Sequence, residues 1–99
     1  ATSPFLGSLE RLILNYSRVG DEGIISLSER AHPALRRLDL RACGISVHGA
    51  RALARAPWLG QLTGLDLSNN PLSEEGRRAL YESEHLPLHL RARFKPLDL

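Results

Sequence analysis

The sequence predicts an α/β solenoid in which short parallel strands form one side and helices form the other. Two observations carry this prediction. The phrase L-x-x-L-x-L occurs three times, at 9–14, 35–40 and 62–67, with spacings of 26 and 27 residues. A stretch of good helix formers follows each copy, near 21–31, 47–56 and 74–84. Such a period is typical of stacked repeats, in which neighbouring units bury an apolar face that no unit can bury alone.

The strand of each repeat is predicted from the end of the phrase. Its alternation with period two sends the leucines to one side of the strand and the middle residue to the other. The leucines are therefore expected to form the core, and the residues between them a surface. We predict repeats near 9–34, 35–61 and 62–87, a remnant of a preceding repeat at 1–8, and an irregular C-terminal cap at 86–99.

A small or polar residue follows each strand: Ser17, Cys43 and Asn70. The backbone turns away from the sheet at this point and leaves amide groups without strand partners. An inward asparagine can satisfy these amides well, whereas Ser17 and Cys43 fit the space but bond less strongly.

Polar residues and prolines mark the ends of the helices. Ser46 and Ser73 stand where a helix N-cap is expected, and the two glutamates after Ser73 suit the positive end of a helix dipole. Gly20 occupies the same repeat position and is a weaker cap. Pro33 and Pro57 follow the first two helices and are expected to end them.

The segment after His85 has two interpretations. Its apolar residues at 86, 88, 90, 92 and 94 alternate with polar ones, which favours a strand. Leu86, Leu90 and Phe94 also have helical spacing, and Pro87 suits the first turn of a helix. Because residues 94–99 repeat the strand phrase with Phe94 in the first position, we favour a short helix near 87–93 and a last strand near 96–99.

These repeat positions resemble the leucine-rich repeat family, in particular its ribonuclease-inhibitor-like subclass. The resemblance covers roughly residues 5–84 and is strongest at 65–76, which reads LDLSNNPLSEEG. It implies a parallel sheet on the concave side, helices on the convex side, about 3.5 repeats, and a protein-binding scaffold without catalytic residues. Ser17 and Cys43 depart from the asparagine of the family pattern, and the last segment loses the period.

Composition limits the class of partner. A net charge of +2 does not predict nucleic-acid binding, and no apolar run reaches the length that spans a membrane. The lone cysteine excludes an internal disulfide and favours a reducing compartment, so we predict a cytoplasmic protein.

The absence of methionine, and the likeness of 3–9 to 56–62, favour a piece of a longer array over a complete small protein. Exposed repeat ends would then promote self-association.

The predicted partner site is the concave strand face, which consists of the outward strand residues and those just after each strand. Its predicted members are Arg11, Ile13, Asn15, Tyr16, Arg37, Asp39, Arg41, Asp66 and Ser68. Neighbouring strands lie about 4.8 Å apart, so Asp39 and Asp66 are expected to be adjacent like charges that arginines at 37 and 41 offset. This surface is either a mixed-charge platform for a complementary partner or a self-satisfied lattice of arginines and aspartates.

The remaining candidates are assigned structural roles. Trp58 and Phe5 share a repeat position and are expected to pack in the core or cap, and Cys43 is expected to be a buried, inert thiol. The histidines at 32, 48, 85 and 89 lack metal-site spacing. We therefore predict a non-catalytic protein–protein interaction scaffold that needs no metal or other cofactor. The alternatives are a structural cap or fragment of a longer array, and a substrate-selecting module of a larger enzyme or effector.

Overall fold

The computed structural model describes residues 9–96. Three short strands alternate with three helices: β1 (Arg11–Ile13), α1 (Gly20–Glu29), β2 (Arg37–Asp39), α2 (Val47–Ala54), β3 (Gly64–Asp66) and α3 (Ser73–Tyr81). A further helix, α4 (Leu88–Arg91), follows, and 3-10 helices occupy Pro57–Gln61 and Ala92–Phe94. Among these residues, no helix is long and apolar enough to cross a membrane.

The three strands form one parallel sheet in the order β1-β2-β3. Leu12, Leu38 and Leu65 are aligned across it, with Arg11, Arg37 and Gly64 aligned on one side of them and Ile13, Asp39 and Asp66 on the other. The helices form a second layer, in which α1 packs against α2 and α2 against α3. The predicted strands, their parallel order and their register are therefore confirmed.

The core is most complete in the second repeat. Leu38, Leu40, Ile45 and Leu53 are fully buried. The corresponding residues of the first repeat are only partly buried: Leu12, Leu14, Val19 and Leu27. Within the described range, β1 has a paired strand on one side only, so its leucines pack against one neighbouring repeat and not two.

Asn70 joins the third repeat to the turn of the second. Its Oδ1 accepts hydrogen bonds from the amides of Cys43 at 2.8 Å and Ile45 at 3.1 Å. Its Nδ2 donates to the carbonyl of Leu40 at 2.7 Å. Cys43 is buried, and its thiol donates to the carbonyl of Leu14 at 2.9 Å. The predicted role in satisfying turn amides is confirmed for Asn70, whereas Cys43 binds a turn carbonyl through its thiol and so has a structural role.

The helices begin in two ways. Ser46 is the N-cap of α2, and its hydroxyl accepts from the amide of His48 at 3.4 Å, as predicted. Helices α3 and α1 instead begin at Ser73 and Gly20 themselves, which have left-handed backbones with φ of 63° and 65°. Ser73 still accepts from the amide of Gly76 at 3.4 Å, so it satisfies a first-turn donor from inside the helix.

The C-terminal segment is helical. Leu86, Leu90 and Phe94 are buried, whereas Leu88 is 75% exposed. An alternating strand would have put Leu88 on the buried side, so helical spacing describes this segment and the predicted short helix near 87–93 is confirmed. The predicted last strand falls almost entirely on 97–99, and the predicted remnant at 1–8 includes Phe5; these residues lie outside the described range.

The return from α2 to β3 contains a 3-10 helix that the repeat pattern did not predict. Trp58 and Leu59 lie in it and are buried, with 7% and 0% exposure. Trp58 therefore packs in the core, as expected. Its ring meets that of His32 edge to face, with centroids 5.3 Å apart.

Candidate partner-binding face

Each strand is followed by a residue with a left-handed backbone. Tyr16, Ala42 and Asn69 occupy the same position in successive repeats, with φ of 63°, 52° and 60°. An L-residue other than glycine pays about 1–2 kcal/mol in this conformation, and asparagine tolerates it best. The same backbone conformation therefore occurs after each strand whichever side chain is present. We call these three positions the rim of the concave strand face. Tyr16 projects from this rim with 72% of its surface exposed.

Ion pairs organise the middle of the face. Arg37 Nε lies 3.2 Å from Asp39 Oδ2, and Arg41 Nη2 lies 3.0 Å from Asp66 Oδ2. Arg41 Nε also donates to the hydroxyl of Ser68 at 3.1 Å. The expected offsetting of two neighbouring aspartates by flanking arginines is thus observed.

Asp39 departs from the predicted row of exposed residues. It is only 7% exposed, because the central strand has Ile13 and Asp66 on its two sides. Its Oδ2 takes the ion pair with Arg37, whereas its Oδ1 is buried and makes no hydrogen bond within residues 9–96. Asp39 therefore holds Arg37 in position and does not present an open carboxylate.

The charge of Asp66 is secured by its neighbours. Hydrogen bonds from the hydroxyl and amide of Ser68 are the main cause that lowers the pKa of Asp66, with a further contribution from Arg41; burial opposes them. The Ser68 donors lie 2.6 Å and 3.0 Å from Asp66 Oδ1. A side-chain hydrogen bond with Tyr16, followed by that with Asp66, raises the pKa of Arg41 above its ordinary value. This pair is therefore ionised throughout the physiological range.

The β1 end of the face has a different character. Ile13 is 55% exposed, and the exposed Arg11 has no hydrogen bond or ion pair in the described part of the chain. Arg11 lies in register with Arg37, and the third residue of that row is Gly64. A Cβ on Gly64 would lie 2.6 Å from Arg37 Nη1, so this glycine makes room for the guanidinium.

The predicted site residues thus lie on one face but are not equally available. The exposed ones are Arg11, Ile13, Tyr16, Arg37, Arg41 and Ser68, and the partly buried ones are Asn15 and Asp66. Asn15 has a structural bond, since its Oδ1 accepts from the amide of Arg41 at 2.8 Å. The face therefore divides into an apolar and cationic end at β1 and a paired, polar end at β3.

Sequence reasoning missed one neighbour of the face. Arg93 lies in the C-terminal cap, and its Nη1 donates to the carbonyl of Leu65 on β3 at 3.4 Å. An open cavity of about 510 Å³ lies between this cap and the end of β3 and includes Asp66 and Ser68 in its lining. The repeat pattern gave no signal for Arg93, because the cap does not follow the period. No cluster of three or more metal-ligating side chains occurs between residues 9 and 96.

Comparison with known proteins matches the repeats one by one. Residues 8–28 and 31–54 match the family described as Leucine Rich repeat, and residues 61–82 match a second description of the Leucine Rich Repeat. The chain is also 41% identical over 90 residues to NACHT, LRR and PYD domains-containing protein 5 of Homo sapiens. That alignment covers 87% of this chain but 7% of the relative, so the chain spans a small part of the relative's length.

Proposed function

Because this chain belongs to the leucine-rich repeat family, we propose that it is a non-catalytic scaffold that binds a protein partner mainly through the concave strand face. The observation that carries the proposal is the exposure of two large apolar side chains on this face. Ile13 and Tyr16 are 55% and 72% exposed and stand beside the charged residues of β2. Apolar surface with a polar rim is characteristic of protein interaction sites.

The rigidity of the face supports the same proposal. Its side chains project from three strands in fixed register, and ion pairs hold Arg37 and Arg41 in place. A partner would therefore lose little affinity to ordering these residues. We expect the face to bind a partner through side chains that are already held in position, and not to catalyse a reaction.

The first test is a pull-down from an extract of the cells that make the protein. The native chain is compared with a variant that replaces four residues by alanine: Arg37, Asp39, Arg41 and Asp66. Removing both members of each ion pair avoids leaving a charge unpaired, and circular dichroism checks that the variant folds. The control replaces Arg51 and Glu75, a pair with a 3.0 Å contact that joins α2 to α3 on the helical face.

We expect the partner to be captured by the native chain and by the Arg51/Glu75 control, and to be lost from the fourfold variant. Equal capture by all three forms would show that the partner does not depend on these four residues and would contradict a site at the charged middle of the concave strand face. Loss from the control alone would assign the site to the helical face.

A second candidate role is that of a stacking segment within a longer repeat array. Four apolar residues of the first repeat are only partly buried and favour this role: Leu12, Leu14, Val19 and Leu27. Such a surface can accept another repeat or a second copy of the chain. Sedimentation velocity over a range of concentrations tests this role. A concentration-dependent increase in sedimentation coefficient would support it, whereas a monomer at every soluble concentration would contradict self-association through this end.

A further inference from the structure

We propose that the partner segment is acidic and apolar, and that it binds at the β1 end of the concave strand face. One aliphatic or aromatic side chain of the partner packs on Ile13 and Tyr16, and a neighbouring carboxylate pairs with Arg11. The inference rests on the proposed function and adds the location and chemistry of the contact.

Tyr16 is the first ground for this assignment, because the fold does not require a tyrosine there. The same backbone position holds Ala42 and Asn69 in the other repeats, and all three residues are left-handed. A bulky residue is unfavourable in this conformation, and a side chain that is 72% exposed recovers little energy by packing. A strained and exposed aromatic residue points to a role outside folding, and tyrosine is among the residues favoured as interface anchors.

Arg41 orients Tyr16 towards the face. The Arg41 guanidinium forms a side-chain hydrogen bond with Tyr16 and also reaches Asp66 Oδ2 at 3.0 Å. Asp66 lies in the row of outward residues on β3, so the guanidinium that contacts Tyr16 stands on the concave strand face. A partner on the face therefore meets this ring.

Ile13 provides the second apolar contact. Its row continues with Asp39 and Asp66, and each of these carboxylates is engaged by an arginine. Ile13 interrupts that ionic pattern and leaves 55% of its surface in solvent. Ile13 and Tyr16 lie three residues apart at the same end of the sheet, so one partner side chain can contact both.

The charges at this end select an acidic partner. Arg11 and Arg37 are in register, so their backbones lie about 4.8 Å apart on neighbouring strands. Asp39 offsets the charge of Arg37, because its carboxylate contacts the Arg37 Nε. No carboxylate in the described range pairs with Arg11. The exposed Glu10 precedes Arg11, and strand alternation directs it to the opposite side. The Arg37 guanidinium lies over Gly64 on the β3 side, so Arg11 is the unpaired positive charge at this end. A carboxylate from outside would pair with Arg11, whereas a basic segment would be repelled by it.

The test uses a random peptide library displayed on phage and selected on the whole 99-residue chain. We expect the enriched peptides to carry Asp or Glu within a few positions of an aliphatic or aromatic residue. The most enriched sequence is then synthesised, and fluorescence anisotropy measures its affinity for the native chain and for single variants. Binding to the native chain should weaken as ionic strength rises.

Three variants give the decisive comparison. Tyr16→Asn removes the ring and introduces the residue that the third repeat carries at this position, so the turn is preserved. Arg11→Glu reverses the charge, and Arg55→Glu makes the same change at an exposed arginine after α2. We expect Tyr16→Asn and Arg11→Glu each to weaken the peptide by about tenfold or more, and Arg55→Glu to leave its affinity unchanged.

The outcomes separate this inference from the function on which it rests. Enrichment of basic peptides would overturn the inference. So would enrichment of peptides that bind Tyr16→Asn and Arg11→Glu as tightly as the native chain but do not bind the fourfold alanine variant. Either result would keep the concave strand face as the site. Peptides that bind the fourfold variant and both single variants as well as the native chain, or no enrichment at all, would count against both.

Discussion

Asp21 caps a helix to which it does not belong. It lies in the first turn of α1, and its Oδ1 accepts from the amides of Ser46 at 2.7 Å and Gly49 at 3.0 Å, at the start of α2. The Ser46 hydroxyl donates to its other oxygen. A Cβ at Gly49 would lie 2.6 Å from Asp21 Oδ1, so the glycine permits the contact. This carboxylate therefore joins the first repeat to the second.

The protonation of Asp21 follows from these bonds. Burial alone would raise the pKa of Asp21, but the hydrogen bonds from the Ser46 hydroxyl and from the Ser46 and Gly49 amides together outweigh it and lower the pKa. A carboxylate whose folded pKa is depressed contributes its full stability above its unfolded value, near 3.8. That contribution is lost as the pH falls through the folded pKa.

We expect Asp21→Asn to lower the free energy of unfolding at pH 7 by about 1–3 kcal/mol, because an amide replaces a charged acceptor at a helix start. The difference between the native chain and the variant should shrink as the pH falls below about 4. Urea unfolding at pH 7 and pH 3 measures both effects.

The matched control for Asp21→Asn is Glu22→Gln, which changes an exposed carboxylate in the same helical turn. We expect it to have a much smaller effect at either pH. Equal stability of the native chain and Asp21→Asn at pH 7 would show that the Asp21 cap on α2 contributes nothing to the free energy of unfolding.

Single residues differ in how far the sequence reveals them. The role of Asn70 could be predicted, because its repeat position and side-chain chemistry point to turn amides. The role of Asp21 could not, because its partners lie 25 and 28 residues away. Its repeat position holds Val47 in the second repeat and Glu74 in the third, so the acid does not recur in every repeat and its partners in the next repeat could not be read from the pattern.

At the level of elements, the strand leucines allow a comparison of equivalent positions. Leu38 on the central strand is fully buried, whereas Leu12 on β1 is only partly buried. We expect Leu38→Ala to cost about 2–5 kcal/mol through loss of contacts and formation of a cavity. Leu12→Ala should cost clearly less, and urea unfolding of both variants provides the measurement.

Two results would contradict this account of the strands. A loss below about 0.5 kcal/mol for Leu38→Ala would mean that the leucine is not in the core and that the strand register is wrong. A loss for Leu12→Ala as large as that for Leu38→Ala would mean that β1 is as well covered as β2.

The period predicted the regular elements and failed where the chain departs from it. It gave the three strands, the helices after them and the aligned rows of the concave strand face. It could not give the 3-10 helix that buries Trp58, because that turn depends on local packing. Nor could it show that Asp39 is buried, because a central strand position is covered by side chains from both neighbouring repeats.

At the scale of the whole molecule, we expect stability to increase from the first repeat to the second. The Leu14 amide donates to the Asp39 carbonyl, and the Leu40 amide donates to the Asp66 carbonyl, both at 2.8 Å. The two bonds are alike, but Leu40 is fully buried and Leu14 is not. Native-state hydrogen exchange should therefore protect the Leu40 amide more strongly than the Leu14 amide. Equal protection would mean that the described repeats open as one cooperative unit.

The cap that Asp21 supplies to α2 bears on how duplication of repeats in the gene could lengthen such an array. Duplication of whole repeats is a simple route to a longer array, and the regular period suggests that any copy could follow any other. A tandem copy of the second repeat, however, would bring Val47 and not an acid to the amides of the copied Ser46 and Gly49. The existing junction of α2 with α3 has this form, since Val47 lies beside Gly76 and the Ser73 hydroxyl accepts from the Gly76 amide. We therefore expect the duplicated junction to fold but to lack the carboxylate link that Asp21 supplies.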